Sequence, residues 1–528
     1  MPALRTVTAL LLAAIAAIPS PFTVALAQPL PPPGAPPAGP STEAVMRQPV
    51  NVPGAAEPHT PAELNRGLAF RYVLPGAPPP SIVLVMIPGL NSGPNTIDIL
   101  ARALLVAHGA GLEVWAVAPR PTLLQDRRGV DAALAYRMPE FALGYYYGSL
   151  DIEGHRFHLL KGPEVPYMAY WGLDVHLRDI FAIVREIRTR YPNARIVLGG
   201  HSLGGVLAAA YAGYDFAEAP GSPPSSPRRP PEIGTTDLAG LVFIDGLPMR
   251  LPLRLSSARY LHGFRIPFFG TVPGVDGLTN PDPQKRVAPF TKTRDLARTK
   301  DSLLFDVVSA YAYLRPEAPS SFPFSPRRFG LRITNEALVA AILSDQMEPD
   351  RLIRANVEVP IGVFSRMPDP WYINPRGLLD LQSGYPARGE DLIRLPRPGE
   401  RPRPRTPIRM LLRAILRPGG DFTEWYFPWR LVLDLGLAAS LEPDDGFAQQ
   451  YFHLTHVRDT ALPMLILGAG RGLVQSEGAT SFYRDHVATP RDRITVRILP
   501  EISHLDIEDA EPNPAVPLIL NWLESVVH

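Results

Sequence analysis

The sequence predicts an α/β chain whose mostly parallel, doubly wound sheet is covered by helices on both faces and interrupted by one long insertion. Continuous apolar runs of strand length recur at 81–89, 112–119, 194–201, 238–246, 462–470 and 494–500. Segments with helical apolar spacing lie between or after them, at 95–109, 174–191 and 513–528. The alternation stops between about 249 and 460 and then resumes, as expected of an insertion between two sheet strands.

Taken in order, the chain opens with MPALRTVTALLLAAIAAIPSPFTVALAQ. Arg5 supplies a positive start, 7–18 an apolar run and Ala25-Leu26-Ala27 a cleavage signal, so 1–27 reads as an export signal peptide. That run falls short of the ~20 apolar residues a membrane span needs. No cysteine follows it to take a lipid anchor. The expectation is an exported protein, periplasmic or extracellular, with no stable membrane anchor once the signal is cleaved.

Residues 28–64 are rich in Pro, Gly and Ala and read as a disordered tether. Folded structure is expected near Leu68, where LAFRYVLP and SIVLVMIPG make a strand pair across a Pro/Gly turn. The helix at 174–191 puts Leu177, Ile180, Phe181, Val184 and Ile187 on one face, with Asp174 available as its cap. The last helix has Asn513 as cap and Pro514 in its first turn. These elements divide the chain into a core at 65–248 and 461–528 and a cap insertion at 249–460.

Composition narrows the chemistry. Lys and Arg number 52 against 51 Asp and Glu, so the balance of +1 gives no electrostatic reason to expect a nucleic acid. With no cysteine, thiolate chemistry and disulfides are excluded, and stability must come from the core. No His and carboxylate cluster has useful metal-ligand spacing, so neither metal nor cofactor is implied.

The most informative stretch is ARIVLGGHSLGG at 194–205, followed by the helix-compatible VLAAAYAGY. An apolar strand that breaks at Gly200-His201-Ser202-Leu203-Gly204 into a helix is a nucleophile elbow. The turn is so sharp that Cβ atoms two positions either side of the serine would collide, hence Gly200 and Gly204. Ser202 is thereby pushed out at the carboxyl edge of the sheet, above the start of a helix. His201 is read as pointing elsewhere.

The elbow, the strand order and the histidine in the C-terminal PEISHLDIE loop together resemble the α/β-hydrolase superfamily. The resemblance covers about 68–248 and 461–528, with the insertion where that superfamily carries its lid. It implies the α/β-hydrolase fold, a Ser–acid–His triad in that chain order and an oxyanion hole of backbone N–H groups. Ser202 then matches the nucleophile and His504 the base. The N–H of Leu203 is one oxyanion donor, and the IPGLNSG loop supplies Leu90 as the second, with Asn91 able to add its side-chain amide.

The acid departs from the commonest pattern. The loop after the penultimate strand, GAGRGLV, has no carboxylate, and the next one downstream is Glu477. Asp245, at the end of the preceding strand, is the favoured partner of His504, with Glu477 as the alternative. In the insertion, Trp425, Tyr426, Phe427 and Trp429 are candidates for an apolar acyl pocket, or equally for the cap's own core. The resemblance implies a serine hydrolase, esterase- or lipase-like, acting on a small-molecule ester with an apolar acyl group. An acyltransferase using the same triad and a non-catalytic binding protein remain open as alternatives.

Overall fold

The computed structural model describes residues 42–217, 230–249, 255–266, 270–290, 299–318, 320–322, 334–343, 406–438 and 453–527, with 355, 372–373 and 393–394. The expected signal peptide at 1–27, the expected tether up to 41 and most of the expected cap insertion between 344 and 405 lie outside the described residues. No described helix is long and apolar enough to cross a membrane.

One eight-stranded sheet organises the molecule. In chain order its strands are β1 (Met46–Pro53), β2 (Arg66–Val73), β3 (Ile82–Ile87), β4 (Leu112–Ala118), β5 (Arg195–His201), β6 (Gly240–Ile244), β7 (Met464–Arg471) and β8 (Ile494–Ser503). In space they run β1-β2-β4-β3-β5-β6-β7-β8. The β1/β2 and β2/β4 pairs are antiparallel, and the rest are parallel. Every residue of β3, β4 and β6 is buried, because helices cover both sheet faces. Those helices include α1 (Asp98–His108), α2 (Leu173–Arg190), α3 (Leu203–Ala212) and α4 (Ala515–Val527).

Three expectations need correction. The tether cannot extend to 64, because 46–53 pairs along its whole length with 66–73 as β1. Its prolines sit at 49 and 53 on a sheet edge, where a missing N–H costs no ladder bond. The strands at 66–73 and 82–87 do not pair with each other, since β4 lies between them. A short turn suggests a hairpin, but the apolar β3 gains more by entering the parallel centre. Nor does Asp174 cap α2: the cap residue is Gly172, and the carboxylate that accepts the first-turn N–H of Leu173, at 2.8 Å, belongs to Asp434. Asp174 is instead engaged by Arg178 and the Tyr214 hydroxyl. At the last helix the Asn513 side chain does accept the Ala515 N–H, at 2.8 Å.

A buried ion pair ties the segment after β4 to α2. Arg120, after β4, donates to both carboxylate oxygens of Asp179 on α2 at 2.6 and 2.9 Å, and to Ala55 O and Asn65 Oδ1. Burial pushes the Asp179 carboxyl upward, against the pull of the Arg120 bonds. The pair therefore positions more than it stabilises, but breaking it leaves a buried guanidinium unmatched. Asp179→Ala is expected to cost about 3–5 kcal/mol in urea unfolding. A loss below about 1 kcal/mol, the range of an exposed pair, would contradict this account.

Candidate active site

The elbow forms as its residue types require. Ser202 sits between β5 and α3 with φ 55° and ψ −121°, a conformation a non-glycine residue holds only when its surroundings impose it. A Cβ on Gly200 would lie 2.1 Å from Gly204 C, and one on Gly204 would lie 2.0 Å from Ile87 O. Backbone therefore packs on backbone around the serine, and only glycine fits. The Ser202 N–H donates to Ile244 O of β6 at 2.9 Å. Leu203 is the first residue of α3, so its N–H lacks an intrahelical partner and flanks the serine.

The IPGLNSG loop runs directly over this turn: a Cβ on Gly89 would be 3.0 Å from Ser202 Cβ. Leu90 follows it, half-buried against the core. Asn91 adopts φ 55°, and its Oδ1 is buried without a hydrogen-bond partner. The Asn91 carbonyl accepts the N–H of Glu424, a residue of the insertion, at 3.1 Å.

His504 follows β8 directly. Its Nδ1 is 2.5 Å from Asp245 Oδ2, and both groups are buried. Asp245 leaves β6 at φ 42°. Its Oδ1 accepts the N–H groups of Ala469 and Val474 at 3.0 and 2.8 Å, and its Oδ2 accepts that of Leu473 at 2.9 Å. The GAGRGLV loop thus holds a carboxylate rather than contributing one. A Cβ on Gly472 would fall 2.0 Å from Asp245 Oδ2, so that glycine makes room for the carboxylate. Burial pushes the Asp245 carboxyl up, but the His504 contact and the Leu473 and Val474 N–H groups outweigh it and hold it below the usual range. Burial and the neighbouring His201 pull His504 below its ordinary value despite Asp245. Glu477 does not approach His504; it is exposed and paired with Arg484 at 2.8 Å.

His201 does not point elsewhere. Its ring lies 4.4 Å from that of His504, centroid to centroid. Nε2 is 2.8 Å from His504 O, and Nδ1 is 3.0 Å from Glu508 Oε2. Both ring nitrogens thus face oxygens, Nε2 a backbone carbonyl and Nδ1 a buried carboxyl. Burial alone would lower the His201 pKa, yet Glu508 raises it above its ordinary value. The pairing was legible only in outline, as PEISHLDIE places Glu508 four residues beyond His504.

The four aromatics of the insertion divide. Trp425 packs edge-on against Tyr146 and donates from Nε1 to Asp306 Oδ2 at 3.0 Å, inside an apolar cluster that the insertion shares with residues 130–175. Tyr426 lies in the same cluster, its hydroxyl accepting the Leu160 N–H at 3.2 Å. Trp429 is half-buried at the start of the helix Trp429–Ala438, packed on the main core. Only Phe427 reaches the cavity beside Ser202, whose walls include Gly89, Leu203, Leu207 and Leu431. Glu424 also lines it, a residue that reading the stretch as an aromatic patch overlooks. Among the described residues no group of three or more His, Asp or Glu is arranged to hold a metal ion.

No protein-family model matches the chain, and no curated protein matches it. Among solved structures it is similar to a Sulfolobus solfataricus protein assigned as a lipase, at 14% identity and a TM-score of 0.47, over 92% of this chain and 95% of that one. It is also similar to a thermophilic esterase from Thermogutta terrifontis, at 10% identity and TM-score 0.35, over 91% of this chain and 100% of that one. A third is a monoacylglycerol lipase from Paleococcus ferrophilus, at 12% and 0.32, over 87% and 99%. What identifies the fold is the chain's own strand order, its elbow between β5 and α3, and the histidine loop after β8. By these features the chain is an α/β hydrolase in fold.

Proposed function

We propose that the chain is an exported serine hydrolase acting on carboxylic esters. The observation that supports this best is the buried 2.5 Å contact of Asp245 with His504 Nδ1, beside a serine held at φ 55° on an elbow. With Nδ1–H given to the carboxylate, His504 keeps its lone pair on Nε2 and serves as base. Ser202 Oγ attacks the ester carbonyl carbon while its proton passes to His504 Nε2. The carbonyl electrons move onto oxygen, which the N–H groups of Leu203 and Leu90 receive. Collapse of that intermediate breaks the bond to the alcohol oxygen, which takes the proton from His504. Water then attacks the acyl-serine by the same proton transfers, releasing the acid and restoring Ser202. The motive for export is the N-terminal sequence alone.

Ser202→Ala is expected to lower kcat by about 10⁴- to 10⁶-fold on a p-nitrophenyl ester without changing the unfolding midpoint. Residual turnover above a few per cent in purified protein would remove Ser202 from the mechanism.

Asp245→Asn is expected to lose about 10⁴-fold in kcat, because the tautomer and charge of His504 go unsupported. Glu477→Gln should stay within about tenfold of the parent. The reverse ranking would reassign the acid.

The pH profile follows from His504. Only the neutral ring accepts the Ser202 proton, and its pKa is held below the ordinary value by burial. The acid limb of kcat/KM should therefore lie below pH ~6.5, with a plateau above it. A limb centred clearly above ~7 would mean that the base is charged in the resting protein and would contradict the assignment.

A further inference from the structure

The sheet order sets a problem for the base. Ser202 follows β5 and His504 follows β8, with β6 and β7 between them. At about 4.8 Å per strand the two attachment points are roughly 14 Å apart. The loop after β8 must therefore carry His504 back across two strands and hold it there. Asp245 meets the ring, at Nδ1. A ring contact sets rotation about the side-chain bonds and leaves the main chain of the loop to be placed by other groups.

Two buried groups outside the reaction scheme meet that need. His201 precedes Ser202 and ends β5, in register with Ile244 of β6. Its Nε2 is 2.8 Å from the His504 carbonyl oxygen, and its Nδ1 is 3.0 Å from Glu508 Oε2. A carbonyl oxygen only accepts, so Nε2 carries a hydrogen whatever the charge of the ring. Glu508 lies in the helical turn Asp506–Asp509 and is fully buried. Among the described residues its carboxyl has no hydrogen-bond or ion-pair partner besides this nitrogen. A carboxyl buried so completely is costly, and its one polar contact is with the ring that bonds the His504 main chain.

The contacts run from Glu508 to His201 to His504 O, and His201 is joined covalently to Ser202. One imidazole thus fastens the nucleophile's elbow to the main chain of the base, independently of Asp245. A shift of 504–508 relative to the elbow disturbs the contacts at both ring nitrogens at once. The rate depends steeply on such alignment, since a misplacement of about 1 Å can cost roughly 100-fold.

We propose that His201 and Glu508 are positioning residues that fix the backbone of His504 against the elbow, while Asp245 fixes its ring. The inference rests on the serine-hydrolase reading and adds to it two residues that touch no reacting atom.

The test uses the purified full chain and p-nitrophenyl acetate on the pH plateau. Gln carries its amide nitrogen as many bonds from Cβ as Nε2 of His, and Met has nearly the shape of Gln with no donor. His201→Gln should therefore keep kcat within about tenfold of the parent, and His201→Met should lose about 100-fold with KM within about threefold. Glu508→Gln, which still offers the ring a hydrogen-bond partner, should stay within about tenfold, and Glu508→Met should lose about 30-fold or more. The double variant should lose no more than about threefold beyond His201→Met, because Glu508 acts through His201. A role confined to filling space would treat Gln and Met alike. Equal activity of the Gln and Met variants, a loss carried by KM, or additive losses in the double variant would each overturn the inference. If the Met variants do not fold, the parent decides through a nitrogen-15 spectrum of its histidine rings. Nε2 of His201, assigned by its disappearance in His201→Gln, should be protonated throughout the active pH range, and an unprotonated Nε2 would overturn the inference. A parent that is active and labelled by a fluorophosphonate, with Gln and Met variants alike, would lose the positioning role alone. A parent neither labelled nor active would remove the hydrolase reading and this inference with it.

Discussion

The carboxylate of Asp245 is the constraint around which the carboxyl edge of the sheet is arranged. It is completely buried, and an isolated ionised carboxylate there would be costly. Three backbone N–H groups, one from the end of β7 and two from the loop after it, and one imidazole N–H supply the compensation. That demand fixes the path of GAGRGLV, requires glycine at 472, and ties β6, β7 and the loop after β8 into one unit. The aspartate closes β6, one strand inward from the loop after β7, and that loop is its cradle. A carboxylate accepting several backbone N–H bonds stays ionised, which is the state that fixes the His504 tautomer.

The insertion is fastened to the core by carboxylates as well. Asp434 accepts from the Leu173 N–H at the start of α2, from Arg430 and from the Tyr260 hydroxyl. Asp421 accepts from Thr122 and Gln125, and its carbonyl takes the Asn95 N–H. These bonds are directional, so they set where 421–434 lies over the elbow more narrowly than apolar contact would. Burial raises Asp421 to about 6.

How much was legible follows from how local each signal is. The elbow could be read because Gly200, Ser202 and Gly204 are close in sequence and no other residues fit so tight a turn. His504 could be read because it directly follows the last strand. The acid was legible as a choice, Asp245 or Glu477, because a strand-end carboxylate in an apolar run needs a partner that sequence alone cannot name. β1 was hidden by its prolines, which suggest a tether until pairing with 66–73 places them on an edge. The cap of α2 was hidden because its carboxylate comes from Asp434, 261 positions away. The aromatic stretch at 425–429 drew attention to bulk, whereas the cavity takes only Phe427 from it, with Glu424 just ahead.

The two histidines at the elbow show how charge is kept apart in so small a volume. Rings 4.4 Å apart and tilted by 35° cannot both carry a proton charge cheaply. The Glu508 carboxylate settles the matter by drawing positive charge to His201, where Nε2 also grips the His504 carbonyl. His504 is then left neutral in the resting state, its pKa depressed by burial and by that neighbour, while Asp245 keeps the reserve of negative charge needed when the ring is protonated. Positive charge favoured on His201 by Glu508 therefore makes a second charge on His504 costlier and favours the neutral form of that ring. On the serine-hydrolase reading proposed above, Ser202 depends on such a neighbour, because its hydroxyl is a weak nucleophile unless an adjacent imidazole is free to take the proton.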